Sequence, residues 1–96
     1  MIDISEHHLT SVKQILAKHV SSAEVLAFGS RVSGKAKPYS DLDLVIREKK
    51  MIPINTLARL KEDFEESDIP FRVEILDWNG ISREFQKIIK RHCEAL

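Results

Sequence analysis

The 96-residue chain is long enough for one small domain with a single core, so we expect one domain over residues 1–96. Its 43% hydrophobic and 31% charged residues are typical of soluble globular proteins, and its 15 basic and 15 acidic residues cancel. This balance gives no indication of direct nucleic-acid or acidic-membrane binding. The N-terminus lacks the pattern of a signal peptide, and no apolar run approaches the ~20 residues of a membrane-spanning helix. The single cysteine, Cys93, excludes an internal disulfide and fits a reducing compartment, so we expect a cytoplasmic protein that does not bind membranes.

The first half of the chain predicts a helix followed by two strands. Asp3 and Glu6 resemble a capping box, and apolar residues then recur at helical spacing, which predicts an amphipathic helix over residues 4–20. The apolar segment AEVLAF predicts a strand that ends in a turn or a short helix at Gly29 and Ser30. After the loop GKAKPYS, the segment DLDLVIRE predicts the second strand.

The second half predicts a helix, a third strand and a last helix. Apolar residues at helical spacing mark one helix after Pro53 through about Glu66 and another from Ile81 to His92. The segment FRVEILD between them predicts the third strand. The order α-β-β-α-β-α, with a helical crossover between the second and third strands, predicts a mixed α+β fold. We expect a small mixed three-stranded sheet with helices packed on one face.

Two aspartates stand one residue apart at the start of the second predicted strand. Side chains two residues apart on a strand point the same way and lie about 6–7 Å apart, so Asp41 and Asp43 can converge on one cation. Hard divalent ions such as Mg²⁺ prefer carboxylate oxygens and leave coordination positions open for phosphate oxygens. The pair suits chemistry on a magnesium-bound nucleotide. Taken alone, it also fits a solvent-facing strand with ordinary surface aspartates.

A Gly-Ser pair precedes this acidic strand. Glycine allows a backbone turn to approach a ligand closely, and the amides and hydroxyl of such a turn can hold phosphate oxygens. The run GSRVSGKAKPYSDLDLVI, with ten residues between Ser30 and Asp41, resembles the Gly-Ser-x10-Asp-x-Asp signature of the DNA polymerase β-like nucleotidyltransferase superfamily. In length and in its Gly-Ser-Arg detail, the chain is most similar to the minimal nucleotidyltransferases, the MNT antitoxins of HEPN/MNT toxin–antitoxin modules. The resemblance implies the polymerase β-like nucleotidyltransferase fold.

The same resemblance implies roles for individual residues. In that superfamily the glycine–serine turn cradles the nucleoside triphosphate, which implies that Gly29 and Ser30 bind nucleotide here. The two aspartates hold two metal ions, so Asp41 and Asp43 are expected to be catalytic ligands of two Mg²⁺ ions, or of Mn²⁺, with ATP as the nucleotide donor. A third catalytic, metal-binding carboxylate comes from the next strand, where Glu74 stands on the matching face.

Two features of this site stay open at the level of sequence. Glu74 stands where the family usually has aspartate, and Asp77 is the alternative, although its position on the strand favours capping of the turn that follows. Arg31 follows the Gly-Ser pair as in many minimal members and could bind a phosphate of the nucleotide or form a surface ion pair. Lys35 and Lys37 lie in the adjoining loop, where solvated charges are the more common role.

Three functions are compatible with these motifs. The first, which we predict, is the magnesium-dependent transfer of AMP from ATP to a hydroxyl of a partner HEPN-type toxin, by which the chain would act as an antitoxin. The second is a non-enzymatic antitoxin or nucleotide-binding module that neutralises its partner by forming a complex. The third is one subunit of a transferase for small molecules, a class that carries extra domains to bind the acceptor. We expect the chain to form a hetero-oligomer or a homo-oligomer.

Overall fold

Four strands form one mixed sheet in the computed structural model, which describes residues 2–96. In space they follow the order β3-β2-β1-β4, with β1 antiparallel to β2 and β4, and β2 parallel to β3. The mixed α+β class predicted from the sequence is confirmed. The strands are β1 (Glu24–Phe28), β2 (Leu42–Arg47), β3 (Val73–Asp77) and β4 (Glu94–Ala95).

Four α-helices and one short 3-10 helix, Trp78–Gly80, connect these strands. Helix α1 begins two residues later than predicted because the hydroxyl of Ser5, rather than the side chain of Asp3, caps it by accepting a hydrogen bond from the amide of His8. None of the helices within residues 2–96 is long and apolar enough to cross a membrane. The α-helices are α1 (Glu6–Val20), α2 (Ser30–Ser33), α3 (Ile54–Glu66) and α4 (Arg83–Arg91).

Helices α1 and α3 cover one face of the sheet. The alternation of strand β2 directs Leu42, Leu44 and Ile46 toward these helices, and all three side chains are fully buried. Helix α3 is also the crossover connection that parallel strands β2 and β3 require. The remaining members of this core come from both helices and the neighbouring strands: Val12, Leu16, Val20, Val25, Ala27, Ile52, Leu60, Phe64, Ile69 and Ile75.

Two details differ from the predicted sheet. The prediction of helices on one face is wrong for α4, whose Ile89 packs with Leu26, Val45 and Trp78 on the opposite face. The side chains at these strand positions are also apolar, so burial of this face against a helix is favourable. Helical periodicity does not predict the face of the sheet on which a helix packs. The fourth strand, β4, was not predicted because a segment of only two residues is too short to show alternation.

An ion pair links α1 to α3. The Nε2 atom of His19 lies 2.6 Å from Oδ2 of Asp63, and Nζ of Lys18 lies 3.4 Å from the same oxygen. The hydrogen bond from His19, together with the weaker contribution of Lys18, holds the pKa of Asp63 below its ordinary value of 3.8. A carboxyl group with a lowered pKa stabilises the fold above its ordinary pKa, and that contribution is lost as the pH falls through the lowered value.

We therefore expect Asp63→Asn to lower stability at neutral pH and to reduce its dependence on pH. The difference in the free energy of unfolding between the native chain and this variant should narrow as the pH falls from about 7 to about 3. Urea unfolding at several pH values measures it, with Asp68→Asn, at an exposed aspartate just after α3, as the control. A difference that stays constant across this range would contradict the assignment of the ion pair.

Candidate active site

Acidic side chains meet where strands β2 and β3 begin side by side. Asp41 directly precedes β2, and Asp43, the second residue of that strand, pairs in register with Glu74 of β3. Because facing residues of neighbouring strands project to the same side of a sheet, the side chains of Asp43 and Glu74 are neighbours. They lie on the face opposite Leu42 and Leu44, which point into the core with α1 and α3.

The three carboxylates influence one another. Partial burial raises the pKa of Asp43 above its ordinary value of 3.8, and the negative charges of Asp41 and Glu74 raise it further. The carboxylates of Asp41 and Asp43 form no hydrogen bond or ion pair with another residue of the described range 2–96. Repelling carboxylates whose oxygens lack partners are a donor set that suits a hard divalent cation such as Mg²⁺.

Glu74 is less available than the two aspartates. Its Oε2 atom lies 2.8 Å from Nη2 of Arg72 in a half-exposed ion pair. In the part of the chain that the structure describes, no three His, Cys, Asp or Glu side chains stand close enough together to form a metal centre. The structure therefore brings Asp41, Asp43 and Glu74 to one end of the sheet without assembling them into a three-ligand site.

Gly29 lies against this acidic end. It follows β1, whose last residue, Phe28, pairs with Asp43. Its φ of 80° and ψ of −157° belong to a region that is essentially restricted to glycine. A β-carbon at this position would overlap Oδ2 of Asp43. The glycine of the Gly-Ser pair is thus required both by the backbone conformation and by the carboxylate packed against it, and Ser30 follows as the first residue of α2.

Arg31 lies beneath the Gly-Ser turn. The side chain is only 5% exposed, and its guanidinium donates hydrogen bonds to three backbone carbonyls. The surface ion pair is absent from the described residues 2–96, and a contact between Arg31 and a phosphate of the nucleotide stays a prediction. Lys35 and Lys37 are exposed, as expected for solvated loop charges.

Asp77 and Trp78 both contribute to the fold, one as a cap and the other as a core residue. The carboxylate of Asp77 accepts hydrogen bonds from the amides of Asn79, at 3.0 Å, and Ile52, at 2.8 Å, which is the capping role expected from the sequence. Trp78 is 8% exposed and belongs to the core beneath α4. Of the two candidates for the third carboxylate, Glu74 is therefore the one that lies beside Asp43.

A groove between the Gly29–Ser30 turn and helix α4 was not predicted. It encloses about 380 Å³ and extends the acidic end of the sheet toward an apolar wall. Ile88 in that wall is 59% exposed, whereas its neighbour Ile89 is buried. Two consecutive isoleucines on an amphipathic helix were the available signal, because only one of them can face the core fully. The residues that line the groove are Phe28, Gly29, Ser30, Ser33, Lys35, Ile88, Ile89 and His92.

We expect Glu74→Gln to reduce mainly the rate of transfer and Asp77→Asn to reduce mainly the stability of the fold. Glu74→Gln should slow nucleotide transfer by about tenfold or more with little change in stability, because its exposed ion pair contributes at most about 1 kcal/mol. Asp77→Asn weakens the cap and should lower the free energy of unfolding by about 1 kcal/mol, with a smaller effect on rate. Urea unfolding and a transfer assay measure both quantities. Equal loss of transfer from the two folded variants would contradict the choice of Glu74.

Comparison with known proteins identifies the family of the chain. Residues 10–96 match the family described as polymerase beta, nucleotidyltransferase. The chain is 49% identical over 90 residues to a Haemophilus influenzae (strain ATCC 51907 / DSM 11121 / KW20 / Rd) protein named "Probable protein adenylyltransferase MntA", a match that covers 94% of this chain and 79% of that protein.

A solved structure shares the fold. It is described as the toxin-antitoxin with AMP-PNP, and the match has a TM-score of 0.75 at 15% identity and covers 90% of this chain and 69% of the solved one. At that identity the likeness concerns the fold alone. Together with the sequence matches, it confirms the predicted fold and enzyme class. The chain belongs to the polymerase beta nucleotidyltransferase family.

Proposed function

We propose that this chain transfers AMP from magnesium-bound ATP to a hydroxyl group of a partner protein. The observation that carries the proposal is the arrangement of Asp43 between Asp41, Glu74 and Gly29, where the unpartnered carboxylates of Asp41 and Asp43 adjoin the Gly29–Ser30 turn. Asp41 and Asp43 would hold the metal, with Glu74 beside them. Bound Mg²⁺ would supply charge neutralisation for the triphosphate and for the leaving pyrophosphate.

Each residue contributes through its position on the sheet. Asp43 is anchored on a central strand, so its carboxylate has a defined location relative to the Gly29–Ser30 turn. The absence of a side chain at Gly29 lets the turn pack against the carboxylate of Asp43, and the Ser30 hydroxyl would donate to a phosphate oxygen held beside that carboxylate. Glu74, on the exposed edge strand β3, would accept the proton of the acceptor hydroxyl after release from Arg72.

The partner we propose is a HEPN-domain toxin, which the chain would silence by modification in the cytoplasm. The similarity to a protein named as an adenylyltransferase supports a protein acceptor. The solved structure that shares the fold is described as a toxin-antitoxin, which supports a toxin as the partner.

Intact-protein mass spectrometry tests the proposal. The chain is incubated with Mg-ATP and the HEPN-domain protein encoded beside it, and the expected result is a mass gain of one or more AMP units on the partner. The gain should disappear when Mg²⁺ is chelated and when Asp41 and Asp43 are both replaced by asparagine. A partner that gains the same mass from the doubly substituted chain would overturn the assignment of the site.

One observation favours a second candidate, the antitoxin that acts by masking its partner. The ion pair between Glu74 and Arg72 engages the carboxylate that would accept the proton of the acceptor hydroxyl. Protection of cells that express the toxin separates the two. A masking antitoxin keeps protecting after the Asp41 and Asp43 substitutions, whereas a modifying antitoxin loses its effect.

A further inference from the structure

Arg31 is the only polar or charged residue within residues 2–96 that is buried. Its guanidinium donates from Nε to the carbonyl of Ser40 at 2.9 Å, from Nη1 to that of Asp3 at 2.8 Å, and from Nη2 to that of Pro38 at 3.1 Å. The guanidinium carbon also lies 4.0 Å from the centre of the Phe71 ring. No carboxylate of the described residues pairs with it, so backbone carbonyls and an aromatic face alone balance a buried positive charge.

The three carbonyls belong to segments without regular structure. Pro38 and Ser40 lie in the loop of residues 35–40, which ends directly at Asp41. Asp3 lies in the segment before α1, and its own amide donates back to the carbonyl of Arg31 at 2.6 Å. Arg31 therefore connects the short helix that begins at Ser30 with the last residue before the acidic pair.

Besides its bonds to Arg31, the loop is tied to the site at its first residue, where the amide of Lys35 donates to the carbonyl of Ser30 at 3.2 Å, and its other hydrogen bonds are internal. The amide of Ser40 donates to the carbonyl of Lys37 at 3.0 Å, and the amide of Lys37 donates to the hydroxyl of Ser40 at 2.8 Å. Tyr39 at the tip is 82% exposed and adds no packing. The hydrogen bonds of residues 37–40 are otherwise internal, so the side chain of Arg31 connects this part of the loop to the rest of the site.

We propose that Arg31 is a positioning residue that holds the loop of residues 35–40 and thereby places Asp41 beside Asp43 and the Gly29–Ser30 turn. The proposal rests on the proposed function, because it assigns Arg31 to the same site. The three carbonyls lie in different directions around the side chain of Arg31. The N–H groups of a planar guanidinium match this arrangement, and a single ammonium group does not. Lysine at this position would keep the charge and lose at least two of the three hydrogen bonds.

Hydrogen–deuterium exchange on the nucleotide-free and metal-free protein tests the loop. For Arg31→Lys we expect the hydrogen-bonded amides of Lys37 and Ser40 to exchange about tenfold faster or more, because the loop loses hydrogen bonds from a charged group. The amides of the central strand β1 report whether the fold is kept. Phe71→Leu removes the ring and keeps the three hydrogen bonds, so a smaller rise is expected. Arg47→Lys is the matched control, because Arg47 stacks on Trp78 away from this loop.

Calorimetric titration with Mn²⁺ and AMP-PNP tests the consequence for the site. Arg31→Lys should weaken binding by about tenfold, and Arg47→Lys should leave it unchanged. Weakened binding with unchanged exchange of the free loop would overturn the proposal in favour of a direct phosphate contact. Faster exchange with unchanged binding would reduce Arg31 to a purely structural residue and overturn it as well. A native chain that binds no nucleotide would overturn the proposed function instead. The exchange data would then show only that Arg31 stabilises the loop.

Discussion

Replacement of both Asp41 and Asp43 by asparagine is expected to abolish nucleotide transfer while the fold is kept. An amide carries no charge with which to hold Mg²⁺ against a triphosphate, and a metal ion contributes several kcal/mol to a transition state of this kind. The rate should therefore fall by about a thousandfold or more. The native chain should gain thermal stability from Mg²⁺ or Mn²⁺ with ATP, and the doubly substituted chain should not.

The same substitution should not weaken the metal-free protein. The pKa of Asp43 is raised in the folded state, so its contribution to stability is fully present below the ordinary value of 3.8 and is lost as the pH rises through the raised value. At neutral pH the ionised carboxylate opposes folding, and Asp43→Asn should be as stable as the native chain or more stable. The advantage should shrink as the pH is lowered toward about 3, which urea unfolding at several pH values measures.

The control for both measurements is Asp68→Asn, which removes one exposed carboxylate far from the site in sequence and is expected to change neither rate nor ligand-induced stability. Retained transfer by the Asp41 and Asp43 variant would contradict the metal site. A variant that unfolds at neutral pH would contradict the inferred repulsion among Asp41, Asp43 and Glu74.

Gly29→Ala should damage both the fold and the site. The new β-carbon would overlap Oδ2 of Asp43 and would come within 3.2 Å of its Cγ, at a φ of 80° that alanine rarely adopts. Backbone strain alone costs about 1–3 kcal/mol in such a conformation. Displacement of the Asp43 carboxylate should slow transfer by roughly a hundredfold, the effect expected when a reacting group shifts by about 1 Å. Urea unfolding and the transfer assay measure the two losses.

Gly34→Ala is a control for an alanine at positive φ. Gly34 has a φ of 83° and a ψ of 12°, in the left-handed helical region, and a β-carbon there would meet no atom within 4 Å, so its substitution reports the cost of positive φ without a collision. Asp43→Ala combined with Gly29→Ala removes the colliding carboxylate and should recover part of the lost stability, a non-additivity that a double-mutant cycle detects. Equal losses from Gly29→Ala and Gly34→Ala would show that the close approach to Asp43 has no energetic weight.

Local patterns in the sequence determined much of this molecule. The alternation in DLDLVIRE separates the carboxylates from the core side chains, and the structure confirms that Leu42, Leu44 and Ile46 are buried on the other face. Helical periodicity predicted α1, α3 and α4 to within a few residues, and the Gly-Ser-x10-Asp-x-Asp spacing predicted the family. These features could be predicted from the sequence because each depends on residues that are close together along the chain.

Only the tertiary structure decided which distant residues meet. The register of β2 with β3 sets Glu74 beside Asp43, and the backbone path after Phe28 sets Gly29 against the same carboxylate. The placement of α4 on the opposite face, the pairing of β4 with β1 and the bonds of Arg31 to carbonyls of Asp3, Pro38 and Ser40 have no local signature. Burial and hydrogen bonding select these contacts among many that the same local patterns allow, because the free energy that discriminates between them arises only when the whole core has formed.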